Sequence, residues 1–292
     1  MLRLRWLGLA SGLIGAPALA HGGHSHGEAP GWTIDPLVTL PLSILLLVFL
    51  IGQGRLARRS KVERKRQWLF LCGWFVLAAS LVSPLHQAGE RSFTLHMIEH
   101  ELIMLFATAL IAASQAGGVL AWGLPAPLRQ ALGGDWKAPL SRFWRTLTAP
   151  ATATILQAAV MWAWHAPALF DRTLQSQPWH VAQHLSFVLS SLLFWVAMLN
   201  PRRGGYLLSA ACLVATSLIE GALGALMALS GSPWYASYAA MGMSGIGLDP
   251  VSDQQLAGLI MWIPGGLIHG SAALVLLYAA LKQSDGHAAG AH

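Results

Sequence analysis

Charged residues are scarce in this sequence: Asp, Glu, Lys and Arg make up 10% of its 292 residues, against about 25% in a typical soluble domain. That shortage excludes an ordinary water-facing surface around a chain of this size. Cysteine is almost missing. Cys72 and Cys212 each sit in an apolar stretch and neither belongs to a Cys-x-x-Cys, so no disulfide framework or thiolate cluster is indicated. The two could pair for Cu(I), but a buried free cysteine is usually a small hydrophobe. Acidic residues number 12 against 18 Lys and Arg, a formal net charge of +6. The basic residues gather in loops between apolar runs, so the excess reads as a topology signal and no nucleic-acid partner is indicated. No internal repeat is visible.

What the sequence has is long apolar runs. It is 55% hydrophobic, with a mean hydropathy of +0.54. Seven apolar segments lie near 36–54, 68–86, 94–114, 146–166, 180–200, 206–229 and 255–281, several of them reaching the roughly 20 residues that cross a bilayer core of about 30 Å. They predict an all-α integral membrane protein, a bundle of seven transmembrane helices. Ahead of them, Arg3 and Arg5, the apolar run 6–15 and Ala18-Leu19-Ala20 read as a signal peptide with an A-x-A cleavage site. The expected organisation is a signal peptide over 1–20, a His-rich periplasmic segment over 21–35, the seven-helix domain over 36–282 and a cytoplasmic tail over 283–292.

Loop charge orients the bundle. Fourteen of the 18 Lys and Arg fall in the loops after the first, third and fifth segments or at the end of the seventh; Arg3 and Arg5 belong to the expected signal peptide, leaving only Arg91 and Arg172 opposite. The positive-inside rule then puts the mature N-terminus outside and the C-terminus in the cytoplasm. This is the pattern of a multi-pass protein of a bacterial inner membrane, surrounded by lipid. The connection 115–145 is broken by Pro125, Pro127, Gly133, Gly134 and Pro139, which suits short pieces lying in the interface.

Counting about 1.5 Å per residue from each cytoplasmic end places His86, His96, His165 and His180 roughly 27–30 Å up, at the outer boundary. His100, His184, Glu220 and His269 fall roughly 20–24 Å up. Ionisable groups in a bilayer core are costly and normally face a partner or a cavity. His96 and His100, and again His180 and His184, are i,i+4 pairs, so each pair shares one helix face. Neutral imidazole suits copper, zinc, iron or nickel, and thioethers add a preference for Cu(I). Met97, Met241 and Met243 are secondary candidates, as are His21 and His24 at the mature N-terminus. Glu99 and Asp253 are candidates to orient or join the ligand set; Asp253 could instead cap the last helix.

Three stretches resemble the caa-type CtaG family of bacterial cytochrome c oxidase assembly factors. They are His96-Met-Ile-Glu99-His100; Trp164-His165-Ala-Pro167 through Trp179-His180-Val-Ala-Gln-His184 to Phe194-Trp195; and Asp253-Gln-Gln-Leu-Ala-Gly-Leu-Ile-Met-Trp262 leading to His269. The resemblance covers roughly 35–282. It implies a polytopic protein that helps supply copper to a haem–copper oxidase, with an oxidase subunit and periplasmic copper chaperones as partners. It maps the family histidines onto His96, His100, His165, His180 and His184, with Asp253 in the last motif. Glu99 departs from the pattern, where an amide commonly separates the two histidines.

Two other readings fit the same residues. His96-Met-Ile-Glu99-His100 matches H-x-x-E-H, in which two histidines bind zinc and the glutamate is a base, the signature of a membrane zinc hydrolase. Histidines on paired helices could also hold a b-type haem between two imidazoles. On the copper reading no bond need be made or broken, and the protein is not an enzyme.

Overall fold

The computed structural model describes residues 30–58, 63–133, 137–201 and 205–289. The expected signal peptide, His21 and His24 lie outside the described residues, as do the basic residues Arg59, Lys61, Arg202 and Arg203. Among the described residues the regular structure is helical and contains no strand.

Five helical runs are long and apolar enough to cross a membrane: Pro36–Ala57, Phe93–Ser114, Gln177–Leu199, Tyr206–Ala228 and Pro250–Ser284. The first is α1. Asp35 caps it, accepting from the Leu37 N–H at 2.9 Å ahead of a first-turn proline. The two other expected spans are also helical, α2 (Arg64–Val82) and α9 (Pro150–His165). α2 opens on Arg64-Lys65-Arg66, and the 16 residues of α9 rise only about 24 Å. Neither matches the other five in both length and apolarity.

The segment expected at 68–86 is broken. Ser83 ends α2 in an extended conformation, its hydroxyl accepts from the Leu85 N–H at 3.3 Å, and Pro84 starts a short helix, α3 (Pro84–Gly89). His86 therefore sits on a separate element. α4 (Phe93–Glu101) continues into a π-helical turn, Leu102–Ala107, before α5 (Thr108–Ser114). Within that turn the Met104 carbonyl accepts from both the Thr108 hydroxyl and the Trp195 indole, each at 2.8 Å. A π turn rotates the helix before it relative to the helix after it, and such turns recur at functional sites.

After Gln115, in the left-handed region at φ 51°, the chain forms α6 (Gly117–Gly123), α7 (Ala126–Gly133) and α8 (Lys137–Leu147). Leu128, Leu132, Leu140, Phe143 and Trp144 are exposed on α7 and α8, as expected of short pieces lying in an interface. α10 (Pro167–Gln175), α11 (Gln177–Leu199), α12 (Tyr206–Ala228), α13 (Ala236–Met241) and α14 (Pro250–Ala289) complete the chain. Asp249 caps α14, and donation from the Ser252 hydroxyl and from the N–H groups of Ser252 and Val251 holds its carboxyl below the usual range. α14 continues through residues 283–289, where the sequence reading placed a tail.

The side-chain distribution is inverted relative to a water-soluble protein. Leu37, Leu40, Ile44 and Leu47 of α1 and Leu267 and Leu274 of α14 face outward, while His96, Glu99, His100, Gln183, Glu220 and His269 are buried. Lipid as solvent accounts for the first set. The second set concentrates where α3, α4, α9, α11, α12 and α14 meet. α12 and α14 approach most closely at glycine: a Cβ on Gly258 would lie 2.5 Å from the Gly224 carbonyl oxygen, and one on Gly224 would lie 2.7 Å from that of Gly258. Small residues at such crossings let backbones touch, and this one brings Glu220 beside His269.

Candidate metal centre

α4 is set in place from its N-terminus. Asp253, on α14, accepts from the Ser92 hydroxyl at 2.9 Å and from the N–H groups of Phe93 and Thr94 at 2.7 and 3.2 Å. Its backbone carbonyl accepts from the Thr94 hydroxyl at 2.9 Å. Both carboxylate oxygens are spent on N–H and O–H donors, so Asp253 neither bonds a histidine nor caps its own helix; it caps α4. The consequence is a fixed register for His96, Glu99 and His100.

Five imidazoles then meet. His86 comes from α3, His96 and His100 from α4, and His180 and His184 from α11, and all five are buried. Ring centroids are 4.4 Å apart for His96–His100, 4.5 Å for His180–His184, 5.0 Å for His86–His180, 5.3 Å for His100–His184 and 5.4 Å for His96–His180. Two triads have their ligand atoms within 4.8 Å of one another: His86/His180/His184 and His96/His100/His184. His184 belongs to both. Direct contact between the α4 and α11 imidazoles leaves no slot for a macrocycle between them, which removes the geometric basis for a haem.

Partners fix the tautomers of several rings. The Tyr238 hydroxyl donates to the Gly89 carbonyl at 2.6 Å, so at 3.1 Å it accepts from Nδ1 of His96. Nε2 of His96 keeps its lone pair and has no hydrogen-bond partner. His86 directs Nδ1 to Oε1 of Glu99 at 2.8 Å, and Nε2 of His184 is 3.8 Å from the same oxygen. A carboxylate or carbonyl on one imidazole nitrogen, with the lone pair left on the other, is the usual arrangement of a metal-binding histidine. Glu99 thus orients imidazoles. Gln183 lies beside His96 and is fully buried.

The remaining candidates lie elsewhere. His165 is packed against Phe170 and Phe187, its Nδ1 donating to the Met161 carbonyl at 2.8 Å. It stays outside both triads. Glu220 and His269 pair with each other, Oε2 to Nδ1 at 3.4 Å, and the Trp195 indole stacks on the His269 ring. The two-layer arrangement read from depth is therefore corrected: helix counting gives height but not the direction a side chain faces. His100 and His184 join His86, His96 and His180, whereas His269 and Glu220 form a separate cluster. Met97 is buried in the apolar core, while Met241 at the end of α13 and Met243 in the loop after it are exposed. Tyr238, Gln183, Gln157 and Glu101 carry no spacing motif and were missed, although Glu101 is a carboxylate in an apolar run and could have been flagged.

A multi-pass helical membrane protein with a buried histidine cluster is the class this fold and site define. The chain belongs to the cytochrome c oxidase caa3 assembly factor family (Caa3_CtaG), whose profile matches residues 47–283. Among individual proteins it is similar to uncharacterized proteins of Mycobacterium bovis and Mycobacterium tuberculosis, 27% identical to each over 252 residues. Those alignments take in 79% of this chain and 36% of each relative, so the chain spans about a third of their length. No solved structure matches. The family match supports the assembly-factor reading and lends nothing to the hydrolase or haem alternatives.

Proposed function

We propose that this protein binds a copper ion through His86, His96, His100, His180 and His184 and passes it to a cytochrome c oxidase subunit during assembly. The observation that carries the reading is the convergence of five buried imidazoles from three helices, with His96 and His86 held by Tyr238 and Glu99 so that Nε2 is left for a metal. The family supplies the oxidase, and the imidazole donor set is compatible with copper. An all-imidazole site with no thiolate suits copper or zinc by softness. A neutral imidazole has one lone pair, so His184 completes one triad at a time. One ion then has two alternative seats with His184 common to both, an arrangement for hand-over.

On this reading the bundle crosses the bacterial inner membrane seven times, after a cleaved signal peptide, with α2 and α9 as the shorter spans. The basic loops face the cytoplasm, and the histidine cluster lies toward the periplasm, where copper chaperones can load it. The role is presentation of an ion, not catalysis.

Metal analysis of the detergent-purified chain tests this, wild type against His100→Ala/His184→Ala, together with oxidase activity in a deletion strain. Copper occupancy and rescue are both expected to be lost in the double variant. Full occupancy with full rescue would place the site elsewhere.

A further inference from the structure

The end of α1 carries a basic pocket that takes no part in the histidine cluster. α1 and α6 cross at glycine: a Cβ on Gly52 would lie 1.9 Å from the Val119 carbonyl oxygen, and one on Gly123 would lie 1.9 Å from that of Val48. The crossing sets the last turn of α1 beside the junction of α6 and α7. There Arg55, Arg58, Trp122, Ala126 and Arg129 line a cavity of about 380 Å3. Two of the three arginines are held in place. Nη1 of Arg55 donates to the carbonyls of Trp122, Gly123 and Leu124 at 2.9, 3.3 and 2.9 Å, which caps α6 and leaves Nε and Nη2 for another acceptor. The Arg129 guanidinium stands over the Trp122 ring, 4.7 Å from its centroid, a contact that fixes the charge without giving it an oxygen.

Among the described residues no carboxylate lines this cavity, and Arg55, Arg58 and Arg129 form no salt bridge. Arg66 on α2, by contrast, pairs with Glu63 at 3.0 Å. Three like charges around one space repel unless an anion joins them. Membrane topology asks only for basic residues in the loop, and lysine would serve it equally. A planar guanidinium fork does more, because it matches phosphate oxygens two at a time. The pocket also lies where the lipid-facing surface of α1 ends. Ile44, Leu47 and Ile51 are exposed and lead at helical spacing into Arg55 and Arg58, an apolar stripe with a basic end. A free phosphate has a use for the arginines but none for the stripe. We propose that Arg55, Arg58 and Arg129 bind the phosphate group of an anionic phospholipid whose acyl chains lie along Ile44, Leu47 and Ile51. Basic pockets between helices at a membrane surface take such headgroups, and Trp122 supplies the amphipathic ring common at that level. The bound lipid ties the α6–α7 junction to the end of α1.

This inference stands apart from the copper reading. Native mass spectrometry of the detergent-purified full chain, titrated with phosphatidylglycerol, is expected to show one lipid retained per chain in preference to phosphatidylcholine. Arg58→Gln/Arg129→Gln, which leaves the Arg55 cap on α6 intact, should weaken that binding by about tenfold or more. Arg64→Gln/Arg142→Gln removes the same charge from exposed positions outside the pocket and should leave the binding unchanged. Equal retention of the two lipids, or equal weakening in the two double variants, would overturn the site. Displacement of bound phosphatidylglycerol by millimolar inorganic phosphate would also overturn it, by making the pocket a site for the free anion. Should Arg58→Gln/Arg129→Gln fail to fold, a phosphatidylglycerol with a photoreactive headgroup decides the matter on the wild-type chain. Cross-links to residues 51–58 and 122–129 support the site, and cross-links confined to other segments overturn it.

Discussion

His184 carries a different weight from the other histidines because both triads need it. Replacing His86 removes one seat for an ion and leaves His96/His100/His184; replacing His100 does the reverse. His184→Ala removes a ligand from both. Copper affinity, measured by competition with a chromophoric chelator, should therefore fall further in His184→Ala than in either His86→Ala or His100→Ala. Equal losses in all three would show that the triads do not share a ligand. Tyr238 acts through His96: its hydroxyl, pinned by the Gly89 carbonyl, holds the Nδ1–H tautomer. Removing an outer-shell partner of this kind weakens metal binding by about 10–100-fold. Tyr238→Phe should show that loss while the far-ultraviolet spectrum and elution volume stay unchanged. No loss in Tyr238→Phe would mean that the hydroxyl leaves the ring's tautomer alone.

Between elements, the controlling contact is the one Asp253 makes with α4. It joins residues 159–161 positions apart in the chain and satisfies two N–H groups of the helix N-terminus with a charged acceptor. Hydrogen bonds to charged groups contribute about 1.5–3 kcal/mol each, and a lost N-cap costs about 0.5–2 kcal/mol. Asp253→Ala should lower thermal stability in detergent and reduce copper occupancy, because His96, Glu99 and His100 ride on the uncapped helix; Asp253→Asn, which keeps one acceptor, should fall between. A variant that melts early but binds copper normally would separate the cap from the site. The i,i+4 histidine pairs were legible because helical period alone puts them on one face. Asp253 was not, since its partners are fixed by how α14 crosses α4. The break at Ser83-Pro84 has a local signal, yet its effect on His86 depends on where α3 packs. His165 and His269 show the same limit: the sequence places their height in the bundle, while only packing decides which way they point.

At the scale of the molecule, the buried histidine cluster is carried largely by two of the long apolar helix runs. Phe93–Ser114 carries His96, Glu99 and His100, with the π turn beginning at Leu102, and Gln177–Leu199 carries His180 and His184. The apolar exterior and the polar interior were both readable from composition, because a chain with 10% charged residues cannot line a water-facing surface and must place the few it has in loops or inside. What composition leaves open is direction across the membrane, and the copper reading depends on it. If the histidine cluster takes copper from outside, His86 and Arg91, on the α3 side of the bundle, must face the periplasm, and the basic residues Arg55, Arg129 and Lys282 must face the cytoplasm. Single cysteines introduced at Glu90 and at Arg129 in a cysteine-free chain separate the alternatives. In intact cells a membrane-impermeant maleimide should label the residue-90 site and spare the residue-129 site, and permeabilised cells should label both. The reverse pattern would put the cluster against the cytoplasmic face, where periplasmic chaperones cannot reach it, and periplasmic loading would have to be abandoned even if copper binding survived.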